Sequence, residues 1–281
     1  CTLKGANNVT GDGVVGFGTA SLTGNNYNTI DHCDIRDGAT TPVFMVYSAG
    51  TTGKENSFNT ISNCNIYNFW LSGSSPLGIY LSSGNTDWTI TGNSFYQTSS
   101  RTPTSATAIY GIAIINSGNN YVVTGNYVGG STASCGGSAL SFDAGANYDN
   151  NFYGIYVSSG TTGACTIQNN TVSNITFGAK TATANSYSFL GIVVDAGYLN
   201  VSNNTVGAAT GTGAITIAVA TTSTRGFAIG GIYSTATSGS VTKNNVGSIS
   251  VSGGRSSALL LNVINGLDCH GTLSADFTIS D

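Results

Sequence analysis

The chain has 281 residues; 7% are charged, 40% are hydrophobic, 39 are glycine, and the formal net charge is −4. The apolar residues recur at ordered positions, which excludes a disordered chain, and there is no run of 18 or more of them, which excludes a membrane-spanning helix. The weak, scattered charge forms no basic patch, so nucleic acid is not an expected partner.

Cys1-Thr2-Leu3-Lys4-Gly5 opens the chain and matches the second half of a unit that returns later. A turn-rich passage to about residue 27 follows. Residues 28–38 read as a strand, a tight turn and a strand, and 58–69 repeat them. The shared pattern is an apolar residue, two residues, a slot residue, one residue and a second apolar residue. Cysteine holds the slot at Ile30/Cys33/Ile35 and Ile61/Cys64/Ile66. Asparagine holds it at Ile90/Asn93/Phe95, Val123/Asn126/Val128, Ile167/Asn170/Val172, Val201/Asn204/Val206 and Val241/Asn244/Val246. A second anchor precedes the last five copies by 10 to 13 residues: Gly78-Ile79, Gly111-Ile112, Gly154-Ile155, Gly191-Ile192 and Gly231-Ile232.

From Ile30 to Val241 the six steps cover 211 residues, about 35 per unit. Fixed anchors with elastic spacing predict a stack of similar coils, each burying its apolar face on its neighbours. The step from Val123 to Ile167 is the longest at 44 residues and predicts a protruding loop around 131–151. Residues 176–188 and 207–226 read as further extensions, rich in Ala, Thr and Gly. Alternation in Gly78-Ile79-Tyr80-Leu81 sends Ile79 and Leu81 inward and Tyr80 outward. The two apolar residues of the slot pattern lie five apart, which a straight strand would put on opposite faces. A turn at the slot Asn, a residue that tolerates the left-handed conformation, returns both to the interior. Stacked Asn side chains can also hydrogen-bond along the array. The expected architecture is all-β: one parallel β-helix of about eight coils over residues 1–281, with 267–281 a further coil or the edge of the next module. Because the chain starts in mid-coil, it reads as part of a longer array.

Cys1, Cys33 and Cys64 lie 32 and 31 residues apart in one slot and predict a ladder of small buried thiols, continued by Asn93, Asn126, Asn170, Asn204 and Asn244. Disulfides between ladder neighbours fit by distance, but need side-chain directions that a ladder does not supply. Cys135, Cys165 and Cys269 fall outside the ladder; Cys135 and Cys165 could pair across one coil. His32 and His270 have no partner at ligand spacing, so no metal site is expected. No cofactor is expected either, with Ca²⁺ the one ion left open.

The repeats Thr89-Ile90-Thr91-Gly92-Asn93-Ser94-Phe95 and Cys165-Thr166-Ile167-Gln168-Asn169-Asn170-Thr171-Val172 resemble right-handed parallel β-helix repeats of the pectate-lyase-like superfamily. The Asn-Thr-Ile-x-x-Cys-x-Ile variant resembles that of very long secreted surface proteins of Bacteroidetes-type bacteria. The resemblance spans nearly the whole chain and implies the fold, with an extracellular or cell-surface location. Superfamily members that cut polysaccharides place acids and bases on the outward positions of one sheet. Here the position after Gly-Ile reads Tyr80, Ala113, Tyr156, Val193 and Tyr233, none of which supplies the carboxylate pair of a hydrolase. Asn85-Thr86-Asp87 resembles the first polygalacturonase motif, but the paired aspartates and the Arg-x-Lys that should follow are absent. Asp143, Asp149 and Asp195 are the best placed catalytic acids. Tyr80, Tyr156 and Tyr233 form an interrupted outward stripe that suits sugar rings. The densest polar cluster is Asp31-His32-Cys33-Asp34-Ile35-Arg36-Asp37, with Asp34 and Arg36 outward. It reads first as a solvated turn and second as a cation or sugar contact that does not extend to the next coil. The expected role is a non-enzymatic segment of a β-helical fibre, stalk or adhesin. Its expected partners are neighbouring coils or copies of itself end to end. The alternative is a polysaccharide-binding or polysaccharide-cleaving β-helix.

Overall fold

The computed structural model describes residues 1–281 except 20–21, 143–147, 149, 181–185, 213, 220–226, 253–262, 270–276 and 281, and of 179–180, 186–188, 219, 227–228, 263–269 and 277–280 it describes the backbone. Among the described residues there is no helix, and every pairing between strands is parallel. Three sheets of eight strands form the walls of a solenoid. Sheet I begins Val15–Phe17, Phe44–Ser48, Leu77–Leu81, Ala108–Ile115 and Asn151–Ser158. Sheet II begins Thr29–Asp31, Thr60–Ser62, Thr89–Thr91 and Val122–Thr124. Sheet III begins Thr2–Gly5, Asp34–Asp37, Asn65–Tyr67 and Ser94–Tyr96. The chain visits I, II and III in turn and then steps up one level. Val263–Cys269 and Phe277–Ser280 add the last strands of sheets I and II.

Register follows the apolar anchors. Ile61, Ile90, Val123, Ile167, Val201 and Val241 form one buried internal column in sheet II. Ile79, Ile112, Ile155, Ile192 and Ile232 form another in sheet I. The glycine before Ile79, Ile112, Ile155 and Ile192 has a steric cause. A Cβ on Gly154 would lie 2.5 Å from the Gly191 carbonyl oxygen and 2.8 Å from Val172 of sheet III. The two walls come too close there for any side chain.

The extensions at 131–151, 176–188 and 207–226 are more than protruding loops. Leu140–Phe142, Ile175–Lys180 and Ile215–Val219 lie within or across them and pair with Ile249–Ser252 as a fourth sheet. Their apolar residues register as Leu140, Ile175, Ile215, Ile249 and as Phe142, Phe177, Ile217, Val251. Leu140, Phe142, Ile175, Phe177, Ile215 and Ile217 are buried. Each segment alternates apolar and hydroxyl residues, and that period-two signal is what makes a wall of an insertion. The solenoid is therefore three-sided in its first coils and four-sided later. Phe142, Phe152, Phe177 and Phe189 fill the wider interior, with Phe152 and Phe189 stacked at 5.3 Å.

The turn at the slot differs from expectation. The left-handed residue is the one before the slot: His32, Asn63, Gly92, Gly125, Asn169, Asn203 and Lys243, with φ between 49° and 67°. The slot residue itself points inward. Its side chain satisfies backbone groups that the sharp corner leaves without strand partners.

Candidate functional site

Two kinds of site emerge: polar columns buried at the corners, and an aromatic face on sheet I. At the corner from sheet II to sheet III, the Nδ2 groups of Asn93, Asn126, Asn170 and Asn204 each donate to the Oδ1 of the next slot Asn, ending at Asn244, over 2.9–3.1 Å. Each backbone N–H donates to the same Oδ1. The second proton of each Nδ2 goes to a carbonyl one coil back, Ile61, Ile90, Val123, Ile167 and Val201 in order. Each amide is thus used on both sides within a closed apolar interior, where an unpaired polar group costs most.

The cysteines behave differently from a ladder of thiols. Cys1 and Cys33 form a disulfide with Cα atoms 4.6 Å apart, and Cys1 is exposed where a buried slot was expected. At a Cα separation of 4.6 Å the two slot neighbours are within bridging distance. Cys64 remains a buried thiol, and its backbone N–H donates to Asn93 Oδ1 at 2.9 Å. Cys135 and Cys165 do not pair with each other. Both are free; Cys165 is buried beside Ser159 at 3.5 Å, and burial pushes the Cys135 thiol up to about 12. The Cys269 side chain lies outside the described residues.

A second polar column, at the corner from sheet I to sheet II, was not anticipated. The Asn25 backbone N–H donates to Asn56 Oδ1 at 2.8 Å, Asn56 Nδ2 donates to Ser48 Oγ at 3.0 Å, and Ser48 Oγ donates to Asn85 Oδ1. Asn85 Nδ2 serves the carbonyls of Ser48, Ser82 and Ser83. In the next coil the Tyr121 hydroxyl takes over, 2.6 Å from both the Asn85 carbonyl and Asn116 Oδ1. The available signal was an Asn five residues ahead of Ile30, Ile61 and Ile90. The Asn85-Thr86-Asp87 triplet belongs here: Asn85 is buried in this column, and Asp87 accepts from Thr86 and Asn120.

The acidic cluster at 31–37 is hydrogen-bonded to uncharged side chains of the next coil. Asp31 accepts from Ser62 at 2.7 Å and Asn63 at 3.0 Å, Asp34 from Asn65 at 2.8 Å, and Asp37 from Asn68 at 3.1 Å. Hydrogen bonds from Ser62, His32 and Asn63 pull the Asp31 carboxyl down to about 2. Arg36 pairs with Asp37 at 3.1 Å and lies 5.2 Å from the Tyr67 ring, which stacks on Tyr96 at 4.7 Å.

On the outer face of sheet I, register places Tyr80 beside Ala113, Ala113 beside Tyr156, Tyr156 beside Val193 and Val193 beside Tyr233. The stripe is richer than its sequence pattern. Tyr47 precedes Tyr80 in the same column, and Phe44, Leu77, Tyr110 and Tyr153 fill the adjacent one. Phe44, Tyr47 and Tyr80 form one triad with centroids 5.6 Å apart. Tyr110, Tyr153 and Tyr156 form another at 4.9–5.9 Å. A groove of about 410 Å³ lies here, lined by Phe44, Leu77, Tyr80, Tyr110, Ser74 and Ser75 among others. Burial pushes the Tyr110 phenol up to about 12. Tyr156 is raised by burial and by the carboxylate of Asp195, which is exposed at the edge of this face. Asp143 and Asp149 lie outside the described residues. Among the described residues no three His, Cys, Asp or Glu side chains are grouped to hold a metal ion.

No curated protein and no solved structure matches the chain. The family described as right-handed beta helix region matches residues 1–152, more than half of its length. Parallel three-walled coils, internal apolar columns and this match lead to one assignment: the chain belongs to the right-handed β-helix family.

Proposed function

We propose that the chain is a non-catalytic structural segment of an extracellular or cell-surface β-helical fibre, stalk or adhesin. The observation that carries this reading is the amide column from Asn93 to Asn244, which ties five successive coils together through the interior. Such a column resists bending and local opening without serving any external ligand. The Cys1–Cys33 disulfide fits an oxidising compartment. Neighbouring coils, or copies of the chain end to end, are the partners this reading implies, since a solenoid exposes strand edges and core at its ends. Pectin, alginate and chondroitin, incubated with the protein with and without Ca²⁺, should release no oligosaccharide. Release that disappears in Asp195→Asn would overturn the reading.

A second reading rests on the two aromatic triads of sheet I. Tyrosine faces beside Ser74 and Ser75 suit the apolar faces and hydroxyls of a sugar chain. Affinity electrophoresis in gels cast with soluble polysaccharides would reveal it as retardation lost in both Tyr80→Ala and Tyr110→Ala. Equal mobility of all three proteins in every gel would remove it.

A further inference from the structure

The outer column of sheet I has a profile that repeats every second coil. Tyr80, Tyr156 and Tyr233 stand at alternate levels, with Ala113 and Val193 between them. The three tyrosines are half-buried, whereas Ala113 and Val193 are 0% and 2% exposed, so the face rises at each tyrosine and dips between them. Two steps of the strand spacing set successive tyrosines about 9.6 Å apart along the axis. An extended β-1,4-linked glycan turns each ring over relative to the last, so one ring face returns at every second sugar. That two-sugar repeat is close in length to two coils.

The charge of the same face has one sign. The eight strands of sheet I carry no Lys or Arg, and their charged residues are Asp195 and Asp268. Register sets Asp268 beside Tyr233. A bulge positions Asp195: Val157 pairs with Val194 and Ser158 with Ala196, which leaves Asp195 as the extra residue of its strand. Asp195 is exposed, and its charge and hydrogen bond reach the Tyr156 hydroxyl. A cation placed there meets a carboxylate and an aromatic ring together.

We propose, resting on the reading of this face as a sugar platform, that its ligand is an extended β-1,4-linked amino glycan lying along the solenoid axis, with alternate rings on the tyrosines and an ammonium group at Asp195. The ring faces supply stacking, which any such glycan can use. The carboxylate supplies selection. A neutral chain stacks without an ion pair, and a polyuronate brings a carboxylate on every sugar to a face that holds only acids.

The test is isothermal titration calorimetry on the full chain with three β-1,4-linked hexamers, of glucosamine, glucose and mannuronate. The buffer is low in salt and mildly acidic, so that the amines are protonated. The glucosamine hexamer is expected to bind about fivefold tighter than the glucose hexamer, the size of one exposed ion pair, and the mannuronate hexamer more weakly than either. In Asp195→Asn the glucosamine-to-glucose ratio should fall to about one. The ratio in the unmutated chain should fall likewise in about 1 M sodium chloride, so the outcome does not depend on the variant folding. Equal affinity for the glucosamine and glucose hexamers in low salt, or a preference unchanged in Asp195→Asn, would overturn the amino-glycan proposal and leave the sugar platform standing. Binding of none of the three hexamers would remove the platform itself and the proposal with it.

Discussion

Two corners of the coil carry buried polar columns, and they solve one problem in different ways. Between sheets II and III, the four asparagines from Asn93 to Asn204 repeat a single set of hydrogen bonds, each amide contacting the coil before and the coil after. Between sheets I and II, the column passes from Asn56 to Ser48 to Asn85 and then to Tyr121. The first corner is two residues long in every coil, so one residue type fits throughout. The second changes length, and each coil recruits whatever donor reaches the next carbonyl. The second corner also borders a polar recess of about 210 Å³ lined by Glu55, Asn85, Ser117 and Asn119, so water can replace a lost partner there. A uniform column in a closed interior should therefore be more sensitive to deletion than a mixed one beside solvent.

The largest effect is expected for Asn170→Ala, about 3 kcal/mol in denaturant melts, because the Asn126 amide and N–H lose their acceptor and the Val123 carbonyl its donor. Asn85→Ala should cost less, about 1–2 kcal/mol, although it strips donors from three carbonyls. A reversed order of these two would break the comparison. Cys64→Asn sharpens it further. The new amide would extend the uniform column by one coil, reaching the Ile30 carbonyl and the Cys33 N–H that Cys64 Sγ now serves. Its stability should stay within about 0.5 kcal/mol of the parent; a loss like that of Asn170→Ala would mean that the slot there is not equivalent.

The smallest effect concerns pH. The Asp31 carboxyl titrates at about 2 in the folded chain, below its ordinary value, so its contribution is present above about pH 4 and fades as pH falls through 2. The group is exposed, which keeps the contribution small. Carboxyl-carbon NMR should give the depressed midpoint, and Ser62→Ala should move it back upward. An unshifted midpoint in that variant would detach Asp31 from the next coil.

Much of the fold was legible because its signal is periodic. The columns through Ile90 and Ile79 follow from anchors that recur at fixed offsets, and register had only to obey them. The fourth sheet was not legible as a wall, because Leu140, Ile175 and Ile215 sit in insertions of unequal length whose alternation spans three or four residues each. The Asn25, Asn56 and Asn85 column was harder to see, because its offset of five from Ile30, Ile61 and Ile90 holds for three coils only and Ser48 and Tyr121 enter it from other positions. The left-handed position moved by one residue, from the slot Asn to its predecessor, because an Asn that must bond inward is not free to serve as the turn itself. On the outer face the stripe of Tyr80, Tyr156 and Tyr233 was visible. The triads were not, since Phe44, Tyr110 and Tyr153 belong to a neighbouring column whose residue type changes from coil to coil: Leu77 stands between Phe44 and Tyr110, and Leu190 follows Tyr153.

The uniform column also has a sense. Every Oδ1 from Asn126 to Asn244 faces the coil before it and accepts from that coil, so the amide dipoles align instead of alternating. Aligned amides polarise one another, and the row becomes an arrow of acceptors at one face and donors at the other. The row starts at the fourth slot, where Asn93 Oδ1 accepts the Cys64 N–H, so its direction is carried inside the solenoid. A further coil could join the row only with the same sense, its Oδ1 turned toward the coil before it, because the opposite sense would set oxygen against oxygen or N–H against N–H.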